Sequence, residues 1–155
     1  MVRDKYFRLA IVFSALCIGI LLFPFDFLNP FSIDWIWGSG DFEQHFLGWQ
    51  FFQREPISQI PLSKLSLYGD GVAQSIVFTD SIPLVAVPLK YLLSQSGLTV
   101  QYFGLFVLAS LVLQALLAYA YFRRLGMRAV VGAVLSLVVC IAPALLFRAT
   151  CHTSL

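Results

Sequence analysis

The chain has 155 residues, 59% of them hydrophobic and only 12% charged, with a formal net charge of +2. That is too little polar surface to cover a water-soluble globule, so composition points to an integral membrane protein whose first partner is the lipid bilayer. No Lys/Arg run resembles a nucleic-acid patch, which excludes nucleic acid as a partner. The three cysteines (Cys17, Cys140, Cys151) form no C-x-x-C pair and read as free thiols.

Arg3, Lys5 and Arg8 precede a continuous apolar run from Leu9 to Phe25, long enough to cross a hydrocarbon core of about 30 Å. No small-x-small cleavage site follows it, and Leu16 rather than a small residue precedes Cys17. The run therefore reads as a retained first span, residues 9–25, with its basic N-terminus in the cytoplasm.

From Asp26 to Asp80 hydropathy falls, and Pro30, Gly38, Gly40, Pro56, Pro61, Gly69 and Gly71 punctuate the segment. This reads as a long external loop, and loops of that length without function are uncommon. Trp35 and Trp37 suit a membrane interface. Within the loop a helix is expected from Asp41 to about Gln53, ending at Glu55-Pro56 because the residue before proline avoids helical geometry. Asp41, Gln44, His45 and Gly48 share one face of it at i, i+3, i+4 and i+7, while Phe42, Phe46 and Trp49 share another. Asp41-x-x-Gln44 also fits a capping box, which leaves Asp41 open between a helix cap and a reactive carboxylate.

Residues 82–93 are apolar but short, carry Lys90, and are broken by Pro83 and Pro88. Two clearer spans follow, at 102–122 and 129–147, separated by Arg123, Arg124 and Arg128. Those arginines belong in the cytoplasm, on the same side as the N-terminus. An even number of crossings must then join the two basic ends. Spans 9–25 and 102–122 supply both, so 82–93 reads as an interfacial or re-entrant juxtamembrane helix. The expected fold is an all-α integral membrane bundle of three transmembrane helices forming one membrane domain over 1–155. So few spans read as the N-terminal fragment of a longer protein.

This order of elements resembles the N-terminal module of GT-C glycosyltransferases, multi-span enzymes that use polyprenyl-phosphate sugars. Gly40-Asp41-x-x-x-His45 stands where that superfamily has an acidic residue in its first external loop. Asp80-Ser81-Ile82-Pro83-Leu84 resembles its His-Pro-Pro-Leu element, Phe103-Gly104 its Phe-Gly, and Ala142-Pro143 its Ser-Pro. The strings Gly40-Asp-Phe-x-Gln-His-x-Leu-Gly-Trp49 and Ser75-Ile-Val-Phe-Thr-Asp80-Ser-Ile-Pro-Leu84 more closely resemble an uncharacterised bacterial GT-C-like family, over almost the whole chain.

The resemblance implies sugar transfer from a lipid-linked donor at the outer face of the bacterial inner membrane. Such transfer needs a base for the acceptor hydroxyl and cations for the departing phosphate. Asp41, Asp80 and His45 are the catalytic candidates. The same three are the candidates to surround a divalent cation, although two ligands alone define no metal site. Lys90, Arg148 and His152 are the candidates for binding the donor phosphate. On these expectations the 155-residue chain by itself is inactive. The competing readings are a non-catalytic membrane subunit or scaffold in polysaccharide assembly, and a small transporter, the latter weakened by the lack of a mid-span charge.

Cysteine-accessibility labelling tests the topology. Positions 30–80 are expected to label from outside and position 124 from the cytoplasm; cytoplasmic labelling at position 95 would overturn the two-crossing arrangement.

Overall fold

The computed structural model describes residues 2–66, 74–79, 81–93, 96–144 and 146. These residues are mostly helical: α1 (Val2–Leu22), α2 (Phe25–Leu28), α3 (Asp41–Arg54), α4 (Pro83–Leu93), α5 (Phe103–Arg124) and α6 (Ala129–Cys140). Strands β1 (Lys64–Leu65) and β2 (Gln74–Ser75) pair antiparallel, with Lys64 opposite Ser75. Two helices, Asp4–Leu22 and Phe103–Arg124, are long and apolar enough to cross a membrane. The single expected domain divides into two compact units, one of Met1–Pro30 and Tyr102–Thr150, the other built on Phe31–Gln101.

In the first unit each long helix buries one narrow stripe. Ile11, Ala15 and Phe23 are buried on α1 and just beyond it, Phe103, Val107, Leu111, Ala115 and Tyr119 on α5, and Gly132, Ser136 and Cys140 on α6. The four-residue repeat puts each set on one helix face. Small residues along α6 allow close backbone approach, the pattern of helix pairs packed by dispersion. Cys140 Sγ sits 3.4 Å from the Leu111 carbonyl oxygen, joining α6 to α5. The opposite faces carry Leu9, Phe13, Leu113, Leu117, Val130 and Val134, all exposed.

The N-terminal end of α1 lies against the C-terminal end of α5. Tyr119 donates its hydroxyl to Asp4 at 2.7 Å and Arg123 pairs with the same carboxylate at 3.3 Å. The two helices are therefore antiparallel, with both basic ends together.

Local chemistry sets the breaks. Pro24 lacks the N–H that would extend α1, so the helix stops at Leu22 and α2 begins after the proline. Gly126, at φ 80°, closes α5: its N–H bonds the Arg123 carbonyl and Met127 N–H bonds Phe122, a left-handed C-terminal cap that a Cβ would strain. The expected span at 129–147 is interrupted. Helix α6 ends at Cys140, one residue before Ile141 and Ala142 turn ahead of Pro143. Proline disfavours helical geometry in the residue before it, and the 12 residues that remain reach about 18 Å.

The second unit wraps its loop around α3. Phe42, His45, Phe46, Gly48, Trp49 and Phe52 form its buried face. Arg54 is the last helical residue, since Glu55 before Pro56 is extended at φ −65°, ψ 152°.

Two glycines of the first unit predict different costs. A Cβ on Gly104 would overlap the Phe27 carbonyl, whereas one on Gly132 would meet Phe122 and Tyr119 at ordinary distances of 3.5 Å and more. In thermal unfolding in detergent, Gly104→Ala is expected to lose about 1–3 kcal/mol. Gly132→Ala should stay within about 1 kcal/mol, helped by alanine's helix propensity.

Candidate functional site

The start of α3 is where the expected site is tested. Gly40 occupies the N-cap at φ 71°, and no side chain caps the helix there. Asp41 is instead the first helical residue, so the expected capping box with Gln44 is not made. Glycine adopts this backbone freely, and a carboxylate in the first turn is still favoured by the helix dipole. Glu43 reaches back to the loop before the helix and accepts from Gly38 N–H at 3.1 Å. Asp41 and Gln44 are exposed.

The polar face expected to hold Asp41, Gln44, His45 and Gly48 is split. His45 is 1% exposed, with Nδ1 3.0 Å from the Thr79 carbonyl oxygen. Gly48 lies against Thr79 so closely that a Cβ would overlap that side chain. The Thr79 hydroxyl donates to Ile76 O and lies 3.0 Å from Ser81 Oγ, which reaches back to the His45 carbonyl at 3.4 Å. His45 thus fastens the 3-10 turn Ile76–Thr79 to the back of α3, while Asp41 faces out. The helical wheel places the two residues one turn apart, but the tertiary partner selects which way the second one points.

The same buried face is tied at its other end. Trp49 donates its indole N–H to Val100 O at 2.8 Å, and Gln53 donates to Leu98 O at 3.0 Å. Trp35 meets Phe42 edge-on at 5.2 Å and Trp37 meets Phe46 at 5.8 Å.

Lys90, expected at a donor phosphate, points inward and is 2% exposed. Its ammonium donates to Pro56 O at 3.0 Å and lies 4.3 Å from the centroid of Phe52. Burial pushes the ammonium below the usual lysine range, and the Glu55 carboxylate pulls the other way. Glu55, itself 5% exposed, accepts from Ser66 N–H. Lys90 and Ala86, four residues apart, form the inward stripe of α4, and Leu84 and Leu92 face out.

Asp80, Arg148 and His152 lie outside the described residues. Among the described residues no three His, Cys, Asp or Glu side chains gather to hold a metal ion.

Sequence reading missed a groove of about 260 Å³ beside α3, lined by Ile33, Trp37, Phe46, Gln50, Phe51 and Arg54. Gln50 and Arg54 stand one turn apart on α3. The Gln50 amide nitrogen is buried without a hydrogen-bond partner among the described residues, and Arg54 is exposed. Gln50 and Arg54 follow Gln44 in the same polar sequence pattern, but nothing in their spacing marks Trp37 as the facing wall.

Lys90 generates a pH prediction. The unfolded chain keeps the lysine proton to about pH 10.4, whereas the folded chain releases it earlier. Between those two values the unfolded state binds more protons, so stability rises with pH. Unfolding measured from pH 8 to 10.5 is expected to show that rise in the wild type and to lose it in Lys90→Met. The variant should also lose about 1–3 kcal/mol at pH 7, because the Pro56 carbonyl forfeits its charged donor.

The chain belongs to the family described as a domain of unknown function, DUF6311, whose model matches residues 11–155. No curated protein matches it, and no solved structure does.

Proposed function

We propose that the chain is an integral membrane module of a GT-C-like glycosyltransferase that takes a polyprenyl-phosphate-linked sugar at the outer face of the bacterial inner membrane, with its N-terminus in the cytoplasm. Membrane insertion is supported by how little of the long helices is covered. Only 17% of the span window in α1 and 33% in α5 is buried, which suits lipid-facing helices and not the core helices of a soluble protein. The antiparallel pairing of α1 with α5 is what the arginine bias requires for an outward and a returning crossing. On this reading α6 enters the membrane as the third crossing, its short helix continued past Pro143.

The observation that carries the enzymatic reading is the exposed Asp41 carboxylate on a helix locked from behind by His45, Gly48 and Trp49. A base must be held in place to act, and the buried face supplies that rigidity. Asp41 takes the proton of the acceptor hydroxyl. Arg54 and the Gln50 amide offer donors along the adjacent groove, and Trp37 gives it an aromatic wall for a sugar ring. Asp80 remains the second catalytic candidate and Arg148 and His152 the phosphate-side candidates; any divalent cation would have to be held by Asp41 and Asp80. His45 is reassigned to positioning.

A scaffold in polysaccharide assembly is the second reading. It is favoured by the commitment of His45 and Lys90 to the fold, which leaves fewer groups for chemistry.

Glycan transfer in membranes carrying the protein in its genomic context separates the two. Asp41→Asn keeps a polar first-turn residue but removes the proton acceptor, so transfer normalised to protein level is expected to fall at least ~10²-fold while stability drops by no more than about 1 kcal/mol. Near-wild-type transfer would move Asp41 to the scaffold reading.

A further inference from the structure

A cleft of about 760 Å³ lies at the joined basic ends of α1, α5 and α6. Arg123 and Arg128 supply its charge, with Asp4 between α1 and α5. Phe7, Val130 and Val131 supply an apolar wall. From these we infer that the cleft binds an anionic glycerophospholipid, its phosphate on the arginines and its acyl chains along the valines. The inference rests on the membrane reading above.

Charge and shape select this occupant. The Asp4 carboxylate is already taken by the Tyr119 hydroxyl and by Arg123 Nε, so it does not compete for the cations. Arg123 also donates to the Met127 carbonyl, which fixes its guanidinium at the cleft. The Arg128 side chain is exposed and makes neither an ion pair nor a hydrogen bond among the described residues, leaving its five donors to a ligand. Two cations against one engaged carboxylate give the lining a net positive charge. Arg8 adds to the field around Asp4. Phosphate geometry suits the planar fork of arginine.

A freely soluble anion would explain the arginines but not the wall. Val130 is 59% and Val131 47% exposed, directly beside the cationic groups, and both continue into the exposed apolar face at Val134 and Val138. A ligand with a charged head and a hydrocarbon tail satisfies both halves of the cleft. Basic pockets between helices on the cytoplasmic side are the expected seat for such headgroups. The cleft volume falls in the range of small-molecule sites.

The test is native mass spectrometry of the full chain released from detergent, with phosphatidylglycerol or phosphatidylcholine added. Phosphatidylglycerol adducts are expected to exceed phosphatidylcholine adducts at least about fivefold, the worth of one arginine near a lipid phosphate. Arg128→Gln should lower that preference towards parity. Arg124→Gln removes the same charge outside the cleft and should leave it unchanged. Inorganic phosphate at millimolar concentration should not displace the lipid.

Equal adducts of the two lipids, equal losses in the two variants, or displacement by inorganic phosphate would each overturn the site. The Arg128 side chain has no partner to lose among the described residues, and thermal unfolding of each variant checks that the fold is intact. Alkaline carbonate extraction of the same membranes reports the membrane reading separately. A chain that stays in the pellet without lipid preference sinks this inference alone, whereas extraction into the supernatant sinks both.

Discussion

A chain with so few polar side chains has to find partners for most of those it buries, and that requirement organises both units. An amide or hydroxyl left alone in an apolar interior costs on the order of 1–3 kcal/mol, comparable to the whole effect of many core substitutions. In the first unit the Asp4 carboxylate draws Tyr119 and Arg123 to it and so sets the ends of α1 and α5 side by side. In the second, His45 needs the Thr79 carbonyl, Trp49 needs Val100 and Lys90 needs Pro56. Each bond links segments far apart in sequence. Apolar packing brings the helices together, but it has no direction; the polar partners decide the register.

The glycines complete that logic where two backbones must meet. Gly48 admits Thr79 to the surface of α3, and without that approach the Thr79 carbonyl would not come within 3.0 Å of the His45 ring. Gly104 admits the Phe27 carbonyl to α5 in the same way. In both places a missing side chain and a hydrogen-bonding or carbonyl group share one spot. Packing and polar satisfaction are therefore one constraint at these positions, not two.

Helix positions were legible in the sequence because they depend on local rules. The helix expected over 41–53 runs from Asp41 to Arg54, and 102–122 appears as Phe103–Arg124. Proline placed the stop expected at Pro56, whereas the span read as 9–25 ends at Leu22, ahead of Pro24. What local rules do not carry is direction. Spacing put His45 beside Asp41, but the 3-10 turn 34 residues away pulled it inward. Lysine on a short apolar helix suggested a phosphate ligand, while Glu55 and the Phe52 ring, on another helix's end, bury it. Asp4 among Arg3, Lys5 and Arg8 gave no hint of Tyr119, 115 positions later. The interruption of α6 was legible in Ala142-Pro143, yet hydropathy alone counts both sides of a proline as one run.

These displacements change what the α3 region can do chemically. With His45 turned to the core, the proposed base Asp41 would not pair with His45 at the surface but would act beside groups other than its helical neighbour. The groove beside α3 is lined by two donors, the exposed Arg54 guanidinium and the buried Gln50 amide. Under the proposed transfer reading, a carboxylate on one turn and donors on later turns would divide the helix into a proton-accepting end and an anion- or hydroxyl-binding flank. That division suits an acceptor that must be both deprotonated and held. It also means that stability and chemistry occupy different faces of the same helix, so substitutions at Asp41 and at His45 report on separate properties.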